Sequence, residues 1–486
     1  MSRFKWTKLS VLTLLALVTS CATYNEQHKD VGKNWETEFP EINTSPIHTF
    51  YFLGDGGLAT PESFSRDFSI LKQDLQKATN NSTLLFLGDN IYDHGMPEKS
   101  DPERKNAEQI LDAQIALSDN FKGQTIFIPG NHDYYNDGIK GLKREADYIT
   151  KKLDNKNAFL PKNGCPIKKV EISDTVELIV IDSQWFLEDW DKNPTMNSGC
   201  DITNRDDFFE EFEGLLKKAE NKTVLIALHH PMFSNGPHGG QFTWKQQLHP
   251  VGNSVPLPIL GTGINLLRKT SGASPQDIQN PIYLQFQKRM VTLAQKAPKA
   301  IFVSGHEHNL QYLIGENKPQ IISGSVSKTS GARIAHNGEF SAGMHGYAKV
   351  EVYDDGSSWV YFYTEENRQQ KLLFKKEIFQ KTPEEKKYDY PENFPATVKT
   401  SIYSKKETKK GLTYRTLWGE HYRRYYSTEI TVNTVNLDTL FGGLTPVRKG
   451  GGHQSRSIRL IDKEGREYIM RAMRKSATQY FQEVAF

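Results

Sequence analysis

Carboxylates, imidazoles, an amide and a phenol recur along this chain in five short blocks. These are Gly54-Asp55-Gly56-Gly57, Gly88-Asp89-Asn90-Ile91-Tyr92, Gly130-Asn131-His132-Asp133, His229-His230-Pro231 and Gly305-His306-Glu307-His308. Together they form the donor inventory of a site that holds two metal ions. Two cations held close together repel unless an anion bridges them, and a carboxylate fixed at a strand end does this at little conformational cost. Asp89 is the candidate bridge; Asp55 then serves one ion and Asn131 the other, where a neutral amide oxygen leaves the ion more electrophilic. His306 and His308, two apart, share a face in a strand, whereas a loop aims each at a different ion. A single Gly-Asp or His-x-His is more often a turn or a cap. Five such blocks in order are not.

Something must bring these blocks together. Each follows an apolar run of strand character: His48 to Leu53, Leu84 to Leu87, Thr125 to Pro129, Val224 to Leu228 and Ile301 to Ser304. Short apolar runs closed by Gly or Asn read as buried strands, and α/β sheets bind ligands at the carboxyl ends of their strands. Helical stretches are expected between them over Glu62 to Ala78, Asp101 to Asn120 and Asp206 to Glu220. In the first, Phe64, Phe68, Leu71 and Leu75 share one face for the core. The alternation predicts an α/β sandwich and not an all-β shell.

The chain has 486 residues, enough for more than one domain, and a net charge of +3 with 24% charged residues. That balance gives no field suited to nucleic acid, and no nucleic-acid partner is expected. Residues 1–20 read as a targeting segment: Arg3, Lys5 and Lys8 precede an apolar stretch, Leu9 to Val18, too short to span a bilayer as a helix. Val18-Thr19-Ser20-Cys21 looks like a bacterial lipobox, which makes Cys21 the lipidated N-terminus of a mature protein. The expected location is therefore a bacterial cell envelope, lipid-anchored and facing the periplasm or the exterior. Residues 21–46 are polar and aperiodic and read as a tether. In an oxidising compartment Cys165 and Cys200 suggest a disulfide.

Residues 47–365 read as the catalytic domain. Within it Ser234 to Pro281 is rich in Gly, Pro, Ser and Asn and reads as a long loop placed to wall a site mouth. From residue 366 to 486 the composition turns basic and tyrosine-rich, a region of mixed or β character and unassigned role with a protein partner left unknown. Its end carries a hairpin signal, Ser457 to Ile461 and Glu467 to Met473, behind a glycine loop at Gly450 to Gly452. Loop, hairpin and Lys475 faintly suggest a kinase phosphate-covering lobe, a weak signal because such loops are common.

The five blocks resemble the calcineurin-like metallophosphoesterases, and among them the purple acid phosphatases, especially the small tartrate-resistant type. That family's pattern reads Asp-x-Gly, Gly-Asp-x-x-Tyr, Gly-Asn-His-Asp/Glu, His before x-Pro, and Gly-His-x-His. The likeness spans roughly His48 to Glu365, and Gly305 to Tyr312 extends it beyond the donors. It implies a metallophosphoesterase-type β-sandwich flanked by helices. It also implies two metal ions: iron(III) held by Asp55, Asp89, Tyr92 and His308, and divalent Fe, Zn or Mn held by Asp89, Asn131, His229 and His306. His229 is preferred to His230 on this likeness, and Gly57 with Tyr92 favours the purple branch. His132 and His238 would act outside the metal ligands, on phosphate oxygens or the leaving group. The implied reaction is hydrolysis of a phosphorylated small molecule, a phosphomonoester, by a metal-bound hydroxide. Alternatives are a diesterase or nucleotidase on the same site, or a surface binding protein whose C-terminal region carries the main role. The long segment after His230 has no counterpart in the small acid phosphatases.

Overall fold

The computed structural model describes residues 21–29, 44–189, 199–249, 256, 258–335 and 337–381, and beyond these the strands of a C-terminal unit. The leader at 1–20, residues 30–43 and the glycine loop at Gly450 to Gly452 with Lys475 lie outside the described residues. Contacts divide the chain into Met1–Thr382 and Pro383–Phe486.

The first unit carries fourteen described strands: β1 (Gln27–His28), β2 (His48–Leu53), β3 (Ser82–Phe86), β4 (Gln124–Phe127), β5 (Ile167–Glu171), β6 (Val176–Ile181), β7 (Thr223–Leu228), β8 (Ala300–Ser304), β9 (Leu310–Gly315), β10 (Lys318–Ser323), β11 (Gly338–Ala342), β12 (Tyr347–Val352), β13 (Ser358–Glu366) and β14 (Gln369–Phe379). They form two mixed sheets, ordered β1-β11-β9-β10-β8-β7-β6-β5 and β14-β13-β12-β2-β3-β4. Alternation along each strand explains the layering. Phe50 and Phe52 of β2 face the other sheet and share a core with Leu178, Val180, Leu225, Ala227, Ile301 and Val303. Tyr51 and Leu53 point the opposite way, into a core shared with the helices. The result is a β-sandwich flanked by helices, as the motif pattern implied.

The helices are α1 (Pro61–Asp67), α2 (Ser69–Lys77), α3 (Arg104–Ile115), α4 (Ile139–Lys152), α5 (Ser183–Leu187), α6 (Arg205–Lys218), α7 (Trp244–Leu248), α8 (Pro258–Ser271) and α9 (Pro281–Ala294). The single helix expected over Glu62 to Ala78 is two. The chain breaks at Phe68 (φ −139°, ψ 22°), and Thr60 starts the first with a reciprocal cap to Ser63. The stretch from Ser234 to Pro281 is not the structureless loop its composition suggested, because it contains α7 and α8. Its Gly and Ser content hides helices whose ends are nevertheless fixed, as at α7, where Thr243 and Gln246 form a capping box.

Two further departures concern the ends of this unit. Residues 21–29 do not hang loose as the front of a tether: β1 pairs antiparallel with β11, Gln27 opposite Ser341. At the other end β14 pairs along β13, Glu366 opposite Gln369, so the strand after Glu365 completes the sheet of the first unit. In the second unit, strands Ala396–Thr408, Gly411–Tyr414, Tyr425–Val432, Ser455–Ile461, Glu467–Arg474 and Tyr480–Ala485 form a six-stranded sheet. The hairpin expected there is present, with Ile461 opposite Glu467.

Candidate metal centre

β2, β3 and β4 run parallel side by side, and the loops after them bring Asp55, Asp89 and Asn131 to adjacent strand ends. β7 and β8, neighbours in the other sheet, deliver His229 and the His306–His308 loop. The loops are stitched to one another. The Asp55 amide donates to the Gly88 carbonyl (3.0 Å), the His132 amide to Asp89 Oδ1 (2.9 Å), and the His306 amide to Asp55 Oδ2 (2.9 Å). Asp55 (φ 62°), Asp89 (φ 53°) and His306 (φ 68°) all hold left-handed backbone. Such conformations cost about 1 kcal/mol or more each and cluster at functional sites. Gly130 is needed for close approach, since a Cβ there would stand 2.3 Å from the Asp89 nitrogen.

The donors fall into two groups around Asp89. In one, Tyr92 Oη lies 2.9 Å from Asp55 Oδ1 and 3.1 Å from His308 Nε2, which is itself 3.4 Å from Asp55 Oδ1. In the other, His229 Nε2 lies 3.2 Å from Asn131 Oδ1, 3.3 Å from Asp89 Oδ1 and 3.2 Å from His306 Nδ1. Partners fix the protons in this second group. His229 Nδ1 must donate to the Leu87 carbonyl (2.7 Å), and His306 Nε2 to the Gln276 carbonyl (2.9 Å). Asn131 uses its amide nitrogen on Tyr135 Oη (2.7 Å). With both rings neutral, four lone-pair atoms converge without a donor among them, and a cation resolves that arrangement. Asp55, Asp89 and His229 alone place one ligand atom each within 4.8 Å of one another, all three buried.

Electrostatics agree with an arrangement built for positive charge. Burial opposes the charge on His229, but Asp89 beside it and then Asp55 push its pKa up to about 9. Burial likewise opposes ionisation of Asp89, yet the same His229 holds its carboxyl well below the usual range. Tyr92 is raised well above an ordinary phenol by burial and by the charges of Asp55 and Asp89. A bound cation takes over the role of these protons, so binding expels them.

The two histidines outside the metal-ligand set also lie at the centre. His132 hands Nδ1 to the Asp93 carbonyl (2.6 Å) and turns Nε2 toward Asp89 Oδ2, 3.9 Å away. His238 stacks on His306 with ring centroids 4.1 Å apart. Its neighbour His230 is buried behind, between Ser183 Oγ (2.8 Å) and Gln276 Oε1 (2.5 Å), and does not face Asp89.

Sequence reading missed four residues here. Asp277, buried, accepts from His238 Nδ1 at 3.0 Å and takes both branches of Arg268 at 2.9 and 2.6 Å. Gln276 reaches His230 with its side chain and His306 with its carbonyl, so the inserted segment orients three histidines through two consecutive residues. Glu307, between the two histidines of the last block, accepts from the amides of His238 (2.9 Å) and Gly239 (3.1 Å) and holds that segment's start. Lys328 stands 3.4 Å over the Tyr92 ring. The first two belong to no motif, and their only signal was a long segment following a ligand block.

A two-sheet sandwich with metal donors gathered at the strand ends of both sheets is the architecture of a metal-dependent phosphoesterase. Residues 47–310, more than half the chain, match the family model described as calcineurin-like phosphoesterase, and the chain belongs to that family. Among solved structures it is similar to GAP50, the anchor in the inner membrane complex of Plasmodium. That likeness has 15% identity over 69% of this chain and 90% of that one, with a TM-score of 0.43. It is also similar to purple acid phosphatase PPD1 from yellow lupin (Lupinus luteus) seeds, at 12% identity over 69% of this chain and 55% of that one, TM-score 0.41. No protein with a curated function matches the chain at a significant level.

Proposed function

We propose that the chain hydrolyses phosphomonoesters at a pair of metal ions of the purple acid phosphatase kind. In this reading it is anchored to a bacterial cell envelope through lipid on Cys21. The observation that carries the chemistry is the convergence of acceptor atoms in two groups that share Asp89. Asp55, Asp89, Tyr92 and His308 would hold iron(III), and Asp89, Asn131, His229 and His306 a divalent Fe, Zn or Mn. Held there, two cations would offset phosphate charge and would supply an activated water as nucleophile.

The chain's own residues do the rest. Leu87 and Gln276 carbonyls fix the tautomers of His229 and His306, so that the ligating nitrogens point inward. His132 and His238 each commit Nδ1 to a fixed acceptor, which leaves Nε2 to meet phosphate or leaving-group oxygen. A ring N–H at that point donates to the leaving alcohol. Lys328 adds positive charge over the face of the Tyr92 ring.

Metal content, visible spectrum and turnover of paired mono- and diester substrates test this. Two metals per chain including iron, a visible band lost in Tyr92→Phe, and preference for the monoester support it. A single metal per chain or a faster diester reaction sinks it.

A further inference from the structure

The chain immediately after Cys21 is bound along the rim of the metal centre. The Ala22 amide donates to the Phe242 carbonyl (3.1 Å), Thr23 exchanges bonds with Ala332 (2.8 and 3.0 Å), and the Gly343 amide donates to the Tyr24 carbonyl (3.0 Å). Phe242 follows His238 by four residues. Ala332 follows Ser330 by two, and the Ser330 amide donates to the carbonyl of His308 (2.5 Å). Whatever holds Cys21 therefore holds the mouth of the site, with no slack between them.

Exposed apolar residues surround the same place. Trp244 is 49% exposed, Leu266 58% and Leu267 59%, on two helices that touch. Trp244 opens α7 next to Thr243, which bridges to Ala22. Asn265 of α8 donates to the Gln246 carbonyl (3.1 Å) and to Gln247 Oε1 (3.2 Å) of α7. Lys245 and Lys269, both exposed, sit beside these residues in sequence. Tryptophan and leucine at a surface flanked by lysines is the composition of a helix that lies in a bilayer interface with anionic lipid. The sequence places a membrane at the same point, because the basic start and the apolar stretch Leu9 to Val18 lead directly to Cys21.

We propose that Trp244, Leu266 and Leu267 seat on the surface of the bilayer that holds Cys21, and so fix the mouth of the metal centre at the membrane. The proposal rests on reading Cys21 as the point of membrane attachment. A single attachment point sets distance but not orientation; a second contact on neighbouring helices sets orientation as well.

The full chain, reconstituted into vesicles of phosphatidylethanolamine and phosphatidylglycerol with brominated acyl chains, tests this together with Trp244→Phe, Leu266→Ser/Leu267→Ser and Cys21→Ser. Bromine quenches tryptophan at short range, and the chain has 7 tryptophans, so Trp244 is read by difference. The expected result is flotation with vesicles, quenching of wild-type emission, loss of at least half of that quenching in Trp244→Phe, and weaker quenching in the leucine variant at an unchanged melting temperature. Flotation with identical quenching in wild type and Trp244→Phe overturns the proposal and leaves the anchor standing. No flotation of wild type overturns the anchor reading and the proposal with it. Dimers in detergent that vanish in the leucine variant, without bromine quenching, assign the face to a second copy and also overturn it.

Discussion

A Cβ on Gly57 would stand 2.4 Å from the backbone nitrogen of Tyr92 and 2.7 Å from its ring, so the tyrosine fills the space that any side chain at 57 needs. Part of that crowding is the backbone of residue 92 itself, so position 57 stays glycine while the loop carrying Tyr92 keeps this path. Gly57→Ala must displace Tyr92, since neither atom is the far end of a flexible side chain. The expected outcome is at least a tenfold loss of metal content at the site proposed for iron(III), with any tyrosine-dependent absorption lost in parallel. Full metal loading and an unshifted spectrum would remove Tyr92 from the donor set.

Asp277 touches no donor of the metal centre but fixes His238 by a 3.0 Å bond. Asp277→Asn keeps the size and loses the carboxylate that orients the imidazole. Loss of the group that positions a general acid is expected to cost about 10–100-fold, part of the roughly 10²–10⁴-fold such an acid contributes. The fall is expected in kcat with KM little changed. In a double-mutant cycle His238→Ala should make Asp277→Asn nearly silent. Additive effects would mean that Asp277 acts by another route.

Metal binding should release close to two protons at neutral pH. Without metal, His229 is protonated below about 9, and Tyr92 keeps its proton well above the ordinary range. Both must give way to a cation. Titrating metal-stripped protein with zinc or iron in weak buffer measures the release, and metal affinity should weaken steadily as pH falls. Release near zero would mean the ligand nitrogens and the phenol are not where the ion binds.

His48 lies outside the centre and sets an acid limit on the fold. Burial lowers its pKa from 6.5 to about 4, with Nε2 against Thr83 Oγ1 at 2.9 Å. The unfolded chain therefore binds a proton between those values that the folded chain does not, and stability falls as pH drops through that window. Above 6.5 both states are neutral and the effect vanishes. The loss approaches about 3 kcal/mol near pH 4. His48→Gln should flatten the melting temperature between pH 7 and 4.5 relative to wild type; an equal slope would refute it.

Cys165 and Cys200 are joined, with Cα atoms 5.1 Å apart and a sequence separation of 35. Closing a loop of that size stabilises a fold by roughly 4 kcal/mol in the chain-entropy account, chiefly through the unfolded chain. Cys165→Ser/Cys200→Ser should melt several degrees lower yet keep metal content and turnover at 25 °C, because neither cysteine belongs to the donor set.

The five blocks were legible because each is a local object: an apolar strand that ends in a donor, with a glycine just before it in four of the five. Apolar runs put the blocks at strand ends, and donor chemistry singled out Asp55, Asp89, Asn131, His306 and His308, while Tyr92 and the choice of His229 over His230 came from the resemblance to the purple acid phosphatases. The break at Phe68 and the helices α7 and α8 were less readable, because packing and caps outweighed weak local propensity. What only the tertiary structure decided lies between segments far apart in the chain. Asp277 meets His238 across 39 residues, Lys328 covers Tyr92, and β1 finds β11 more than 300 residues away. No periodicity or motif encodes such pairings, since each is set by which surfaces the two sheets leave facing one another once the core has closed.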